Sequence, residues 1–186
     1  MPRVSSIIMT AALLAGTAAC SSSAGDASDT GKAGLGPQLT VTLDLHGAVA
    51  FSGKKNAAAP SNNGAFLANC GEYAKGSPDK NGKTFYVIGG LLDGPVAGHK
   101  VTLEMWIKDY RGPGTYNKDK LGAPGSDPSI AVNDTIYGTW PDSTSSKAVT
   151  DSKGGGVWTF SKLATTGPGG KPGAAVSGTV KWTCRD

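Results

Sequence analysis

The residues able to do chemistry are sparse: two histidines, three cysteines and 14 carboxylates among 186 residues. A hydrolase needs a nucleophile, a base and an orienting acid brought together. His46 and His99 are distant in sequence, and neither has an acid and a nucleophile at a familiar spacing. Each lies at one end of an alternating segment, so exposed edge positions explain them more simply than a triad or metal pair assembled by the fold. Two imidazoles without carboxylate help also make a poor zinc site. No G-x-S-x-G nucleophile elbow occurs.

The stretch "GSPDKNGKT" (76–84) imitates a phosphate-binding loop. That motif needs four residues between its first glycine and Gly-Lys-Thr, and here there are five. It also runs into a strand-like segment, where the motif requires a helix N-terminus to aim amides at phosphate. "DKNG" (79–82) and "GSDPS" (125–129) offer oxygens to calcium, but lack the carboxylates and closing glutamate of a calcium loop. Asx-type turns account for both. The sequence therefore assigns no catalytic residue, no metal ligand and no cofactor. Trp106 is the one candidate for ligand contact, because it falls on the polar side of "HKVTLEMWIKDY", where an indole can stack on a sugar ring or anchor a partner. The simpler alternatives are a loop covering that side, or a strand buried on both faces.

The remaining chemistry is at the start of the chain. "MPR" supplies one positive charge, and an apolar run follows whose greasiest part, 7–19, is about 13 residues, whereas a membrane-spanning helix needs roughly 20. A short basic start, a short apolar middle and small residues before a cut describe a secretory signal peptide over 1–19, with a buried core helix as the alternative. Ala18-Ala19-Cys20 resembles a bacterial lipobox, although Thr17 stands where Leu, Val or Ile is usual. The resemblance implies that the Cys20 thiol carries a diacylglyceryl group and becomes the first mature residue. Its partner is then the lipid bilayer at the extracytoplasmic face, and two acyl chains hold firmly where one holds weakly. Cleavage after Ala19 without lipid is the rival. "SSSAGDASDTGKAGLGPQ" has almost nothing to bury and reads as a tether, giving 20–36 as lipidated cysteine plus linker. Asn133-Asp134-Thr135 matches a glycosylation acceptor and is taken as coincidence beside such a leader.

With Cys20 set aside, Cys70 and Cys184 form the remaining pair, and an exported chain sits where such a pair usually bonds. Two buried free thiols are the alternative. The formal charge of +4 comes mostly from lysines scattered along the chain. No cluster has the density that a nucleic-acid backbone needs. A weak pull toward anionic envelope polymers fits, but a generally solvated lysine surface is simpler.

These groups must be positioned by strands. With 28 glycines and 11 prolines, short strands and many turns are expected over 37–186, a length suited to one domain. Leu39, Val41, Leu43 and Leu45 alternate with polar residues, as do Val101, Leu103, Met105 and Ile107. Val176, Gly178, Val180, Trp182 and Cys184 share the inner face of the last segment, and Trp158 and Phe160 share another. "AFLANCGEY" and "TFYVIGGLL" read as short strands. "SGKKNAAAPSNNG" and "PDSTSSKAVTDSKGGG" read as loops, which makes 52–64, 109–128 and 141–156 the expected adaptable surfaces. The whole predicts an all-β domain of seven to nine strands, a two-sheet antiparallel sandwich of immunoglobulin-like type or a related barrel.

The lipobox-like leader, the Ser/Gly tether, "GPGTY" (112–116) and the closing "SGTVKWTC" resemble small cell-envelope lipoproteins of actinobacteria. The layout is similar to the mycobacterial 19-kilodalton lipoprotein antigen group. That resemblance implies a lipidated Cys20, a Cys70–Cys184 disulfide and a β-domain without assigned activity; the domain is expected to be a monomer. The expectation is a non-catalytic lipoprotein that binds an envelope protein, polymer or ligand. An unrecognised extracellular hydrolase and a purely structural surface protein are the alternatives.

Overall fold

The computed structural model describes residues 36–186, apart from Asn62, Asp93, 140–143 and 166–173. All of them belong to the unit Gly34–Asp186. The leader, the tether, Cys20 and Trp140 lie outside the described residues.

The segments with strict alternation form the longest strands. β1 (Gln38–Gly47) buries Leu39, Val41, Leu43 and Leu45 and exposes Thr42, Asp44 and His46. β12 (Ala175–Arg185) runs antiparallel to it in unbroken register from Gln38 opposite Arg185 to Gly47 opposite Val176. β11 (Gly156–Thr165) flanks β12 on the other side, with a bulge between Phe160 and Leu163. Beyond β1 lies the edge strand β2 (Phe51–Ala58).

The second half is built on β5 (Val101–Ile107), which pairs with β4 (Thr84–Leu91) on one side. On its other side it pairs with β8 (Ser129–Val132) and with the two-residue β7 (Leu121–Gly122). β8 and β9 (Thr135–Gly138) form a hairpin whose turn residues, Asn133 and Asp134, have φ of 48° and 68°. Such left-handed pairs make the turn that matches strand twist. β9 joins the end of β11 and so links the two halves. β10 (Ser145–Thr150) pairs with the start of β11 and with β6 (Gly114–Asn117), and β3 (Ser77–Pro78) closes against β4.

The domain is therefore all-β and antiparallel among the described strands. The expected pair of separate sheets is not what the hydrogen bonding gives. One 12-stranded sheet follows the path β2-β1-β12-β11-β9-β8-β5-β4-β3, with β10, β6 and β7 joined to it at the side. The path curls until distant strands meet: Trp182 on β12 donates its indole N–H to the Tyr86 hydroxyl on β4 at 2.9 Å. A single core fills the curl, with Leu43, Met105, Ile107, Trp158 and Trp182 all at most 1 % exposed.

Three local expectations are corrected. "AFLANCGEY" contains a helix, α1 (Cys70–Lys75), not a strand. Asn69 caps it by accepting the Glu72 N–H at 2.9 Å, and the Glu72 carboxylate reaches back to the Ala68 N–H at 2.8 Å, which is capping-box chemistry. Cys70, Tyr73 and Ala74 are then buried on one helical face. The lysine-rich stretch 51–58 is the edge strand β2, not a loop, and lysine on an edge blunts strand-to-strand aggregation. The polar run 145–150 is the strand β10. Its inner positions Ser146 and Thr150 hid the alternation, because their hydroxyls are buried but hydrogen-bonded.

Candidate functional site

Cys70 and Cys184 are bonded, with Cα atoms 5.7 Å apart, and they fasten α1 to the last strand. A cluster of aromatic hydroxyls is packed beside this link. Tyr73 donates to Val87 O at 2.8 Å, Tyr86 to Gly154 O at 3.0 Å and Tyr110 to Ala74 O at 3.1 Å. The rings of Tyr73, Tyr110 and Trp182 surround that of Tyr86 at centroid distances of 4.8, 4.9 and 6.2 Å. Two glycines make room. A Cβ on Gly154, which has φ 77°, would lie 3.0 Å from the Tyr73 ring, and one on Gly156 would lie 2.4 Å from the Trp182 ring. Burial raises the pKa of Tyr73 and of Tyr86 above the ordinary phenol range, and Tyr110 is raised for the same first reason. Every hydroxyl is engaged, so this cluster braces the fold.

The outer face of β2–β1–β12–β11–β10 is different. The registers align Ser52, Asp44, Thr179, Thr159 and Lys147 in one cross-strand row. Lys54, Thr42 and Lys181 stand in the next, and His46 faces Ser177. All of these side chains are exposed or half-buried. Neighbouring rows carry Thr40, Asn56 and Thr183, where Asn56 accepts from Arg185 at 3.0 Å. Among the described residues the ion pairs are Lys100–Asp134 and Lys120–Asp109, so Lys54, Lys147 and Lys181 are uncommitted. Strand spacing near 4.8 Å puts Lys54 and Lys181, two strands apart, about 10 Å from each other. The result is a sheet face of hydroxyls with several free cations and Asp44 as a single carboxylate among them.

Trp106 is half-buried on β5, edge-on to Phe85 at 5.6 Å. The histidines come to the same end of the sheet but to opposite faces. His46 points outward beside the inward Leu45, whereas His99 stacks at 4.5 Å on Phe51, the partner of Leu45. His99 also meets Asn133 at 3.0 Å, and among the described residues no carboxylate is hydrogen-bonded to either imidazole. The "DKNG" carboxylate is spent on its own turn: Asp79 accepts from the backbone of Asn81 and Lys83, each at 2.8 Å. The segment then enters β4, not a helix. Among the described residues no three His, Cys, Asp or Glu side chains cluster as metal ligands. No described helix is long and apolar enough to cross a membrane.

One surface was missed by sequence reasoning. Beside α1 an open hollow of about 270 Å³ is lined by Asn63, Leu67, Glu72, Lys75 and neighbours. At its rim Phe66 is 69 % exposed, the most exposed large apolar side chain described. Only the unexplained "AFLA" between polar runs signalled it. No protein-family model, no curated protein and no solved structure matches the chain.

Proposed function

We propose that this protein is a lipid-anchored extracytoplasmic lipoprotein, held by Cys20, whose monomeric, non-catalytic β-domain binds an anionic envelope polymer. The observation that carries the binding half is the outer face of β2–β1–β12–β11–β10, where Lys54, Lys147 and Lys181 stand free among threonines and serines. Hydroxyls serve the neutral parts of a hydrated glycan, and unpaired ammonium groups serve its carboxylates or phosphodiesters. A row of such groups spread over five strands suits an extended polymer better than a small ligand, which prefers an enclosed site. The anchor and tether reading of the leader supports the location, and the Cys70–Cys184 bond accords with an oxidising compartment. The curled sheet acts as two packed layers, since Tyr86 and Trp182 meet across it.

The test has two parts. Intact mass of membrane-extracted protein reads the lipid on Cys20. Co-sedimentation of the domain with insoluble envelope polymer reads the face. Binding should weaken steeply with salt and fall about tenfold or more in a Lys54→Ser, Lys147→Ser, Lys181→Ser variant, if each cation contributes about 0.5–1 kcal/mol. Salt-independent binding, or a triple variant that binds as well as the parent, would remove the polymer reading.

A further inference from the structure

The surface around Phe66 lies where the chain enters the domain. Gly36 begins the described residues, and a Cβ placed on it would lie 2.6 Å from Leu67 O and 3.7 Å from the Phe66 ring. Ala65 and Ala68 on either side are exposed, and Leu67 is half-buried. A contiguous apolar tip therefore sits at the end of the domain closest to its connection with Cys20. From there β1 runs away for ten residues, about 30 Å at strand rise.

The length of chain outside the structure decides what covers this tip. About 16 residues separate Cys20 from Gly36, and Ser/Gly-rich chains span on average about 5–6 Å × √n, or about 22 Å here. That mean reach is shorter than the run of β1, although 16 residues fully extended span about 55 Å. On average an anchored Cys20 thus keeps the Gly36 end, and with it Phe66, nearer the bilayer surface than the His46 end. Phenylalanine on the apolar side of an interfacial segment sinks into the boundary between headgroups and acyl chains. Tethering raises the effective concentration of the interface to the millimolar range, so a contact too weak for a free protein becomes populated.

We infer that Phe66 and its flanking residues form a second, non-covalent contact with the lipid bilayer, seated in the interface beside the tether entry. This rests on the anchored reading of Cys20. It adds an orientation: the outer face of β1 and β12 stands upright from the membrane, open to polymer.

The chain has four phenylalanines, so biosynthetic 4-fluorophenylalanine gives four resonances. Phe66 is assigned by the one that vanishes in Phe66→Leu. The full lipidated protein is reconstituted into phosphatidylglycerol/phosphatidylethanolamine vesicles containing a chain-labelled nitroxide lipid. The expected result is selective broadening of the Phe66 resonance, with Phe51 at the far end unaffected. A Phe66 resonance that ignores the nitroxide lipid but is broadened by a water-soluble relaxation agent overturns the contact. So does a Phe66 resonance shielded from both, which would mean that the chain's own segment 20–35 covers it. An unmodified Cys20 in the intact mass overturns the anchor itself. Those failures are distinct, because the vesicle readout is taken only on protein whose lipid mass has been measured.

Discussion

The two ends of β1 are held in contrasting ways. At the Gln38 end, the Cys70–Cys184 bond, the capped helix α1 and the Tyr73–Tyr86–Tyr110–Trp182 cluster cross-brace four separate segments. At the Gly47 end, the β1–β2 hairpin is fastened to the β4–β5 connection chiefly by Phe51 stacked on His99 and by Val96 lodged against Gly53. One end is covalently closed, the other rests on a half-buried ring pair and the buried Val96. The difference teaches where rigidity is placed: at the end where the described chain enters the domain, which on the proposed anchored reading is the end that bears the pull.

The largest effect should follow from cutting the brace. The bond closes a loop with a sequence separation of 114. Loops near this size are worth up to about 4.7 kcal/mol in the chain-entropy model, and losses of native disulfides run about 2–5 kcal/mol. The double variant Cys70→Ala, Cys184→Ala should lose stability in that range by guanidinium denaturation. Amide exchange should rise first in α1 and around Gly154, and last along β5. A loss under about 1 kcal/mol would show that the tyrosine cluster alone holds this end.

Alkaline pH should open the same end more gently. Burial raises the pKa of Tyr73 and Tyr86 in the folded protein. Their contribution is complete below the unfolded value of about 10 and is lost as pH rises toward the folded values, because only the unfolded chain ionises in between. Each such tyrosine costs up to about 1.4 kcal/mol per pH unit in that window. Denaturation midpoints should therefore fall between about pH 9 and about pH 11, with tyrosinate absorbance of these residues appearing only on unfolding. A pH-independent midpoint would mean that the cluster is hydrated.

How much of this contrast was legible beforehand follows from period-2 patterning. Leu39–Leu45, Val101–Ile107 and Val176–Trp182 alternate because one face of each is buried, and all became core strands as expected. The pairing of Cys70 with Cys184 followed from counting thiols. The helix α1 was hidden, although Asn69 and Glu72 stood at capping spacing, because six residues are too few to display a helical period. β2 and β10 were hidden because lysines, serines and alanines carry no hydrophobic contrast, and their strand state is imposed by neighbours β1 and β11. The hydroxyl-and-lysine face could not be seen at all in one dimension. Thr42, Lys54 and Lys181 come from three segments, and only register sets them side by side.

The smallest effect belongs to the far end. Phe51 is half-buried and its ring lies 17° from parallel with that of His99. Phe51→Leu keeps apolar bulk over Leu45 and Val96 but removes the stacked pair, so it should cost about 0.5–1 kcal/mol. The more telling readout is local. If this ring pair is the main fastening of the β1–β2 hairpin, amide exchange around 48–53 and 96–99 should accelerate, while α1 and the residues near Gly154 stay as protected as in the parent. Because His46 is on the outer face and His99 on the inner, the substitution should leave polymer binding at Lys54 and Lys181 unchanged. Equal acceleration at both ends would erase the contrast, since it would show that the sheet transmits the loss along the whole of β1.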